Sequence, residues 1–549
     1  MIGAALVVKC LEAHGVEYVF GIPGAKIDAV FNALLDSSIQ IIICRHEQNA
    51  AFMAAAYGRL TGKPGVVLVT SGPGVSNLAT GLLTATTEGD PIVAIGANVP
   101  RSMVLKESHQ NTDNVLLMRP VTKSSVEALL AQNIPEILVN AFRIATAPRS
   151  GACFISLPQD VLLEETNALV IEMPPKISYG ATHQSTLISV ASLINQAKFP
   201  VLLLGQEASR PENTKAVRQL LEKTQLPTIG TFQAAGVVSR ALLPCFAGRV
   251  GLFRNQPGDQ LLNKADVVIT LGFNPVEYDP EIWNAGGQKM IVHVDYMPAK
   301  IRETYQPKYE VLGDIEVNIE ALMQLLSADK QQQNQKNVQP FSEAYQKIIH
   351  SGSHGSKGHL MHPLHFIHEL RETLDDSAFV VCDIGSVYMW MARYFLSYEP
   401  HHLLFSNGQQ TLGVALPWAM ATSLVHPDKR IISLSGDGGF LFSAMELENA
   451  VRHQQNFVHF VWTDGSYDMV KEQELMKYKR RSGVDLGPVN LEYFAKAFGA
   501  KGYTLKNPAD FKPLLQEVFA QKGPVLVDIP IDYSDNTALF AATHSEVGN

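Results

Sequence analysis

The sequence predicts an α/β protein with three doubly wound parallel-sheet domains, and two observations carry this prediction. The chain has 549 residues, which is too long for one hydrophobic core and suits three domains of ordinary size. Short runs rich in β-branched residues also alternate with longer helical patterns over almost the whole length. This alternation is typical of parallel sheets covered by helices.

Composition and charge indicate a globular protein and exclude several partner classes. The formal charge is −9, with 44 Lys and Arg against 53 Asp and Glu, so we expect neither nucleic acid nor a membrane surface as a partner. No uncharged apolar run is long enough to span a bilayer. The five cysteines form no C-x-x-C pair, and residues 1–9 lack the pattern of a cleaved signal. We therefore expect a cytoplasmic protein.

Composition along the chain predicts three domains and one linker. We expect the first domain over residues 1–165, the central domain over 186–326 and the third over 359–535. Residues 327–358 are expected to be a solvated linker, because their first part is rich in Gln, Asn and Lys. The predicted strands are residues 16–20, 39–44, 66–69, 92–96, 201–204, 267–271, 291–294, 379–382, 430–434, 458–462 and 525–529.

A glycine-rich turn, Ser435-Gly436-Asp437-Gly438-Gly439, lies between a predicted strand and a predicted helix over residues 440–451. Glycines let the backbone approach a ligand closely, and the N-terminus of a helix favours phosphate. Asp437 adds an anion at the same place, and phosphate and carboxylate repel each other unless a cation separates them. The combination predicts a divalent cation with oxygen ligands, most readily Mg²⁺.

Asp464 is the expected second ligand of this cation. It follows the next predicted strand, 27 residues after Asp437, and the ends of neighbouring parallel strands face one crevice. A lone Gly-Asp-Gly is also an ordinary turn, but the pair at two strand ends is a stronger signal. The chain contains neither a P-loop nor the dinucleotide-binding glycine pattern at the start of a helix.

A similar turn, Ser71-Gly72-Pro73-Gly74, follows a predicted strand in the first block. It is either a chance similarity between two strand-to-helix turns, which favour Gly and Ser, or a sign that the first and third domains are related folds. Pro73 stands where the later turn has Asp437. If the two domains are related folds, only the third domain could hold a metal at its turn, because only that turn contains an aspartate.

These residues resemble a known family. The pair Gly436-Asp437-Gly438 and Asp464 resembles the thiamine-diphosphate motif, and residues 45–51 (R-H-E-Q-N-A-A) resemble the segment with that superfamily's catalytic glutamate. More specifically, the chain resembles the catabolic acetolactate synthases, and the resemblance extends over all three blocks. The segments that carry it are residues 21–28, 233–236, 248–253, 275–278 and 413–418.

The resemblance implies a fold, a reaction and an assembly. It implies a pyrimidine-binding first domain, a Rossmann-like central domain and a third domain that binds diphosphate and metal. The implied reaction condenses two pyruvates to 2-acetolactate with release of CO₂, through a hydroxyethyl/enamine intermediate, for acetoin and butanediol formation. The implied cofactors are thiamine diphosphate and Mg²⁺ without FAD. The family also implies a homodimer or homotetramer whose active site lies between chains.

The resemblance also assigns catalytic roles. Glu47 would bind the aminopyrimidine of the cofactor, Gln110 would face the reacting centre, and Lys26 would suit the carboxylate of pyruvate. From position alone, Glu47 could be a simple charge at the N-terminus of a helix. Lys26 and Gln110 could instead be solvated surface residues.

The remaining assignments concern the cofactor and its metal. Leu412 would prop the bent cofactor where many relatives carry Met, although ordinary core packing explains it equally well. The metal ligands would be Asp437, Asp464 and the main-chain carbonyl of Ser466. Further cofactor contacts would be Gly385, Ser386, Gln410, Gly438, Gly439, Tyr467 and Met469.

Two alternative functions remain, one within the thiamine-diphosphate enzymes and one outside enzymes altogether. Another thiamine-diphosphate decarboxylase or a pyruvate oxidase is the first. Decarboxylases commonly place a His pair in the catalytic region, but here only His109 is near Gln110, and His401-His402 reads as linker surface. The second alternative is a cofactor-binding protein without activity, against which the retained Glu47 and Asp437 argue.

Overall fold

The computed structural model describes residues 1–104, 106–351, 356 and 358–544, and it contains three sheets of six strands each. Every pair of neighbouring strands in these sheets is parallel. Helices alternate with the strands along the chain, as parallel sheets buried on both faces require. The predicted class, an α/β protein with three doubly wound domains, is confirmed.

The first domain begins with a helix and contains a sheet of six strands. Its strands are β1 (Tyr18–Gly21), β2 (Gln40–Ile43), β3 (Gly65–Val69), β4 (Ile92–Asn98), β5 (Ser124–Glu127) and β6 (Ala152–Pro158). Its helices are α1 (Gly3–Ala13), α2 (Asp28–Leu34), α3 (Glu47–Thr61), α4 (Pro73–Ser76), α5 (Ala79–Glu88), α6 (Asn114–Met118), α7 (Ile134–Thr146) and α8 (Gln159–Leu163). The strand order is β2-β1-β3-β4-β6-β5.

The central domain has a different strand order. Its strands are β7 (Pro200–Leu204), β8 (Thr228–Gly230), β9 (Phe246–Arg249), β10 (Val267–Leu271), β11 (Met290–Asp295) and β12 (Tyr309–Leu312). Its helices are α9 (Gln184–Gln196), α10 (Pro211–Thr224), α11 (Pro257–Lys264), α12 (Pro280–Trp283), α13 (Ile315–Leu325) and α14 (Gln331–His350). The order β9-β8-β7-β10-β11-β12 is that of the Rossmann fold, which the resemblance implies for this domain.

The third domain carries most of the predicted cofactor residues. Its strands are β13 (Phe379–Cys382), β14 (Leu403–Leu404), β15 (Ile431–Gly436), β16 (Phe457–Thr463), β17 (Lys501–Thr504) and β18 (Pro524–Pro530). Its helices are α15 (Pro363–Thr373), α16 (Ser386–Tyr394), α17 (Ala415–Val425), α18 (Asp437–Leu441), α19 (Leu447–Arg452), α20 (Asp468–Tyr478), α21 (Leu491–Ala497), α22 (Phe511–Phe519) and α23 (Asn536–Ala541).

The first and third sheets share one topology. The third sheet has the order β14-β13-β15-β16-β18-β17, which repeats the first when each set of strands is numbered along the chain. Residues 71–74 follow β3, and residues 435–438 join the end of β15 to the start of α18; β3 and β15 are each the third strand of their domain. The two similar turns therefore occupy equivalent places in two sheets of the same design.

The first and third domains also share a hydrophobic core. Helix α3 packs on α17, and fully buried side chains of both helices, such as Phe52 and Trp418, belong to one cluster. An all-apolar helix face of this kind needs a partner to cover it. The two domains of one chain therefore cover each other's apolar surface.

Residues 331–350 differ from the prediction, because they form the helix α14 instead of a solvated linker. Val338, Phe341, Tyr345 and Ile349 are buried in the cores of the central domain. Their spacing of three or four residues places them on one helix face, and the polar residues that suggested a linker lie mainly elsewhere on the helix. Residues 352–355 and 357 of the predicted linker lie outside the described residues.

Several strands are absent from the predicted set: β5, β6, β8, β9, β12, β14 and β17. Most of them have only two to four residues, too few for a clear alternating pattern. The longer β6 is buried throughout, and a continuous apolar run does not distinguish a strand from a buried helix segment. Among the described helices, none has the length and apolar character that crossing a membrane requires.

A buried ion network joins the three domains. Arg59, near the end of α3, donates two hydrogen bonds to Asp90 (2.7 and 2.8 Å) and one to the carbonyl of Phe405 (3.1 Å) in the third domain. Glu88 lies 3.5 Å from Arg59 and accepts a hydrogen bond from Gln233 of the central domain. The charged side chains in this network are almost completely buried, so the protein rather than water must compensate them.

We expect Arg59→Met to destabilise the protein strongly, because it leaves two buried carboxylates without their cation. Loss of one partner of a buried ion pair costs about 3–5 kcal/mol. Lys63→Met, which removes the exposed pair between Lys63 and Glu17, should have little effect. Scanning calorimetry should therefore give a much lower melting temperature for Arg59→Met alone, and equal melting temperatures would contradict this role.

Candidate cofactor site

Three aspartates follow neighbouring strands of the third domain at one edge of its sheet. Asp383 comes directly after β13, Asp437 directly after β15 and Asp464 directly after β16. These strands are adjacent and parallel. The carboxylates therefore lie at the crevice outside the carboxyl ends of the strands, where such sheets bind ligands.

Asp437 joins two of these turns. One carboxylate oxygen accepts a hydrogen bond from the N–H of Gly438 (2.8 Å), and the other accepts one from the N–H of Gly465 (2.7 Å), in the turn after β16. Burial raises the pKa of Asp437, and the negative charge of Asp464 also raises it. Two carboxylates in this arrangement are stabilised by a cation between them.

The helix expected over residues 440–451 is interrupted. Helix α18 begins at Asp437 itself and ends at Leu441, and a 3₁₀ turn (Ala444–Glu446) separates it from α19. Asp437 is therefore the first residue of a helix and not part of a loop before it. The interruption has a tertiary cause, since the hydroxyl of Ser443 contacts the carbonyl of Gly413 (2.6 Å).

Asp464 lies in a short, hydrogen-bonded turn. Its carboxylate accepts hydrogen bonds from the N–H of Ser466 (3.3 Å), from the hydroxyl of Ser466 and from the ammonium of Lys471 (3.0 Å). The N–H of Tyr467 donates to the carbonyl of Val484 (2.8 Å). These bonds fix the carboxylate of Asp464 relative to the main chain at Ser466.

Glycines leave open space along these turns. At Gly385, Gly436 and Gly465, an added Cβ atom would meet no other atom within 4 Å. Gly385 precedes α16 with a φ of 127° and no side-chain cap, so main-chain N–H groups at this helix end remain available for an anion. The hydroxyl of Ser386, the first residue of α16, donates to Asp468 (2.6 Å).

Gly438 and Gly439 serve close packing instead. A Cβ atom at Gly438 would stand 2.5 Å from the ring of Tyr467, and one at Gly439 would stand 3.3 Å from the carboxyl carbon of Asp383. A side chain at Gly438 would collide with the ring of Tyr467, whereas one at Gly439 would make only a tight contact with Asp383. The structure thus places the ring of Tyr467 against Gly438, and the role of Gly438, Gly439 and Tyr467 as cofactor contacts stays a prediction.

Asp383 is a site residue that the sequence interpretation misses. Its buried carboxylate accepts hydrogen bonds from the N–H groups of Ile384 (2.8 Å), Gly413 (3.0 Å) and Ala415 (3.3 Å). It therefore joins the turn before α16 to the segment before α17. Burial raises the pKa of Asp383 to about 7. The available signal was its position directly after a strand, as for Asp464.

Leu412, Met469 and Gln410 have different environments. Leu412 and Met469 are half-buried against the core of the third domain. Leu412 precedes Gly413, where a Cβ atom would stand 2.6 Å from the Cβ of Phe442, so this segment lies against the end of α18. Gln410 has a φ of 50° and an exposed side chain.

Glu47 is the first residue of α3, and only 9% of its surface is exposed. One carboxylate oxygen accepts a hydrogen bond from the amide of Asn77 (2.9 Å). The other lies 3.7 Å from where a Cβ atom would stand at Gly74, in the turn after β3. A carboxylate accepts several hydrogen bonds, so Glu47 retains capacity for a ligand.

Glu446 of the third domain holds the start of α3. Its carboxylate accepts hydrogen bonds from the N–H groups of Arg45 (2.8 Å) and His46 (3.1 Å) and from the amide of Asn49 (3.1 Å). Glu446 is fully buried. The position of Glu47 is therefore set by a residue from another domain of the same chain.

Gln110 and Lys26 bond to residues of the first domain. The hydroxyl of Ser71 donates to the amide oxygen of Gln110 (3.2 Å), and a Cβ atom at Gly72 would stand 2.9 Å from the Cβ of Gln110. Gln110 therefore packs against the turn over residues 71–74, and Gly74 of the same turn lies near Glu47. Lys26 is half-buried and donates to the amide oxygen of Gln159 (3.2 Å).

Three family models match the chain in order. They describe the N-terminal TPP binding domain, the central domain and the C-terminal TPP binding domain of thiamine pyrophosphate enzymes, and they match residues 1–117, 187–325 and 383–529. The chain belongs to the thiamine pyrophosphate enzyme family. Thiamine pyrophosphate is thiamine diphosphate, so the cofactor class that the motifs imply is confirmed.

This thiamine pyrophosphate enzyme also has curated relatives over nearly its whole length. It is 51% identical to the acetolactate synthase of Bacillus subtilis (strain 168), over 98% of the chain and 94% of that protein. It is 44% identical to the catabolic acetolactate synthase of Raoultella terrigena, over 99% of the chain and 97% of that protein. It is 30% identical to the acetolactate synthase isozyme 1 large subunit of Escherichia coli (strain K12), over 96% and 94%. It is an enzyme of the acetolactate synthase family.

The residues of the third domain fit the cofactor of this thiamine pyrophosphate enzyme. The open space beside Gly385 and Gly436 suits a diphosphate group, and the carboxylates of Asp437 and Asp464 suit a hard cation. Within the described residues, no three His, Cys, Asp or Glu side chains form a metal-binding group. Further ligands of a cation would have to be the Ser466 carbonyl and oxygens of the diphosphate itself.

A buried histidine supports the end of β15. The ring nitrogens of His459 lie 2.7 Å from the hydroxyl of Ser433 and 2.8 Å from that of Ser435, at the start of the turn over residues 435–439. Burial lowers the pKa of His459 to about 3, so the ring is neutral near pH 7. A neutral imidazole donates through one nitrogen and accepts through the other, which matches its two serine partners.

This burial predicts a pH dependence of stability. The pKa of His459 is about 3 when folded against 6.5 in the unfolded chain, so only the unfolded chain gains a proton as the pH first falls below 6.5. The stabilising contribution of a neutral His459 is complete above that pH and declines by about 1.4 kcal/mol per pH unit until the pH approaches 3.

We therefore expect that the unfolding free energy of His459→Gln falls less steeply than that of wild type as the pH is lowered from about 7 to about 5. Urea unfolding at several pH values measures this slope. The control is His359→Gln, which replaces an exposed histidine and should keep the wild-type slope. Identical slopes for all three proteins would refute the expectation.

Proposed function

We propose that this enzyme condenses two pyruvates to 2-acetolactate and releases CO₂, as a catabolic acetolactate synthase for acetoin and butanediol formation. The observation that carries the proposal is its similarity, over nearly the whole chain, to a relative named as catabolic. Identity to that relative is 44%, against 30% for an isozyme 1 large subunit. The retained Glu47 and Asp437 support an active member of the family.

Glu47 is the proposed catalytic acid. Bound thiamine diphosphate would supply the nucleophilic carbon that adds to the carbonyl of pyruvate. Glu47 would hydrogen-bond the N1′ atom of the aminopyrimidine and hold a proton there. Its burial beside Asn77 supports this role, because a shielded carboxylate bonds more strongly to a ligand than a hydrated one. Leu412 would press against the cofactor and keep it bent.

Mg²⁺ would be held by Asp437, Asp464 and the carbonyl of Ser466. The ion would offset the negative charge of the diphosphate where Asp437 and Asp464 alone would repel it. The hydrogen bond that links Asp437 to the turn after β16 supports this assignment. The further proposed cofactor contacts are Gly385, Ser386, Gln410, Gly438, Gly439, Tyr467 and Met469.

Lys26 and Gln110 are the proposed contacts of the substrate. The hydrogen-bond partner of Lys26 is the neutral amide of Gln159, so its positive charge remains available for the carboxylate of pyruvate. Gln110 packs against the turn over residues 71–74, which also lies near Glu47. This contact supports a position of Gln110 near the reacting carbon.

The histidine pair does not support a decarboxylase. His401 contacts Ser209 of the central domain (3.2 Å), and burial lowers the pKa of His401 to about 3. His402 stacks on Phe379 with 3.9 Å between the ring centroids. The interpretation of this pair as linker surface is wrong, because both rings take part in packing.

We also propose that the enzyme works without FAD. The carboxylate of Glu277 accepts hydrogen bonds from the N–H groups of Gln206 (3.0 Å) and Asn274 (2.8 Å), which follow β7 and β10, and from Thr231 (2.5 Å). These strands flank the point where a Rossmann sheet binds a dinucleotide. A buried internal carboxylate therefore occupies donors that a flavin nucleotide would need.

The proposed assembly is a homodimer or homotetramer with the active site between chains. Large apolar side chains are exposed on the elements of the third-domain site. They are Leu441, Phe442, Met445, Val470, Leu475 and Met476. Exposed apolar surface of this kind marks protein contacts, and a second copy would cover it while bringing its own Glu47 to the cofactor.

A cytoplasmic location is proposed from the cysteines. All five are unpaired and buried, as expected where disulfides do not form. Burial raises the pKa of Cys10, Cys153 and Cys245 to about 11, so these thiols stay protonated and unreactive.

Purified protein with pyruvate, Mg²⁺ and thiamine diphosphate should form acetolactate in excess over acetaldehyde. Glu47→Gln removes the charge at nearly constant shape and should lower turnover by roughly 10²–10⁴-fold. The exposed Glu17→Gln should leave turnover unchanged. Chromatography of the products against authentic standards measures both quantities. Acetaldehyde as the main product, or full activity of Glu47→Gln, would overturn the proposal.

The same preparation should show no flavin absorbance in visible light, even after incubation with FAD, because Glu277 already occupies the nucleotide donors. Activity should be the same with and without added FAD. The control is flavin extracted by denaturing the protein and measured by fluorescence. Flavin that copurifies in a fixed ratio to the chain would show that the expectation is wrong.

A further inference from the structure

Lys471 lies among the groups of the proposed metal turn, and no family motif used above includes it. Its ammonium is 3.0 Å from the carboxylate of Asp464, 3.0 Å from the hydroxyl of Ser466 and 2.6 Å from the carboxylate of Asp468. The side chain of Lys471 is 19% exposed, against 12% for Asp464 and 4% for Asp468. One cation thus contacts both carboxylates in a largely buried place.

The position of this ammonium is fixed from two sides. Lys471 is in the first turn of α20, where its N–H donates to the carbonyl of Tyr467 (2.9 Å). Asp468 is anchored by hydrogen bonds from Ser386 (2.6 Å) and Asn536. The contacts of Lys471 therefore form part of a network that includes Ser386, beside the open space at Gly385.

Charge explains why a cation is useful here. Asp437 and Asp464 place two negative charges beside the open space at Gly436, where the diphosphate is proposed to bind. An extra carboxylate strengthens the attraction for a metal ion but repels the diphosphate that must bind beside it. An ammonium in contact with Asp464 offsets that charge and limits both effects.

We propose that Lys471 is a positioning residue of the cofactor site, which holds Asp464 in place and sets the balance between metal and diphosphate affinity. This inference rests on the Mg²⁺ site of the proposed function. With Lys471, part of the negative charge of Asp464 and Asp468 is offset. Without Lys471, the turn attracts the metal more strongly and the diphosphate more weakly.

The experiment uses full-length protein freed of metal by a chelator. Mn²⁺ is titrated without cofactor, and free Mn²⁺ is measured by electron paramagnetic resonance. Thiamine diphosphate is then titrated at saturating Mg²⁺ and followed by tryptophan fluorescence. We expect Lys471→Met to bind Mn²⁺ roughly tenfold more tightly and thiamine diphosphate roughly tenfold more weakly, because one contact charge is lost. Lys471→Arg should keep both affinities near the wild-type values.

The matched control is Lys477→Met, which removes an exposed lysine from the same helix and should leave both affinities unchanged. Equal affinities of wild type and Lys471→Met would overturn the role of Lys471. So would a parallel loss of both affinities with a lower melting temperature, since that would indicate a purely structural contact. Asp464→Asn, in the same titration, tests the metal site itself. If Asp464→Asn binds Mn²⁺ as tightly as wild type, or if wild type binds no Mn²⁺ even with thiamine diphosphate present, the Mg²⁺ site of the proposed function is wrong.

Discussion

The geometry of the candidate site depends on the hydrogen bonds that the carboxylate of Glu446 accepts at the N-terminus of α3. This carboxylate holds the backbone on the N-terminal side of Glu47. Three residues earlier, Ser443 contacts both Asn49 (2.9 Å) and the carbonyl of Gly413 (2.6 Å). One short stretch of the third domain thus positions both Glu47 and the segment that carries Leu412, which would serve two different active sites in the proposed dimer.

These hydrogen bonds matter because Glu446 is buried. Burial raises the pKa of Glu446, and only the surrounding N–H and amide donors offset that effect. A small displacement of the first domain that broke these bonds without admitting water would be costly, because a buried acceptor would lose its donors. The buried charges around Arg59 act in the same way at the other end of α3, so this helix is held at both ends by polar contacts to other domains.

Local sequence patterns predicted the parts of the site that depend on local structure. Asp437 and Asp464 could be found because a carboxylate after a strand has a known place in a parallel sheet. Asp383 follows the same rule but lacks the surrounding glycines that drew attention to Asp437. Glu446 and Lys471 could not be found, because their roles arise from contacts with α3 and with Asp464 that only the folded chain creates.

The fold was predicted in its class and in most long strands, and the errors have physical causes. The two-residue strand β14 is too short for any periodicity. The polar composition of residues 331–350 predicts a linker, because it outweighs the four apolar residues that lie along one face of α14. The sequence predicts too long a helix after Asp437, because nothing in residues 440–451 signals the contact of Ser443 with Gly413 at the interruption.

The core shared by α3 and α17 has a consequence for synthesis of the chain. Phe52 leaves the ribosome several hundred residues before Trp418, and translation at roughly 5–20 residues per second separates them by tens of seconds. During that interval the part of α3 that packs on α17 is not covered by its own chain. The nascent first domain is therefore expected to need a chaperone, and a fragment that ends before α17 would be prone to aggregate.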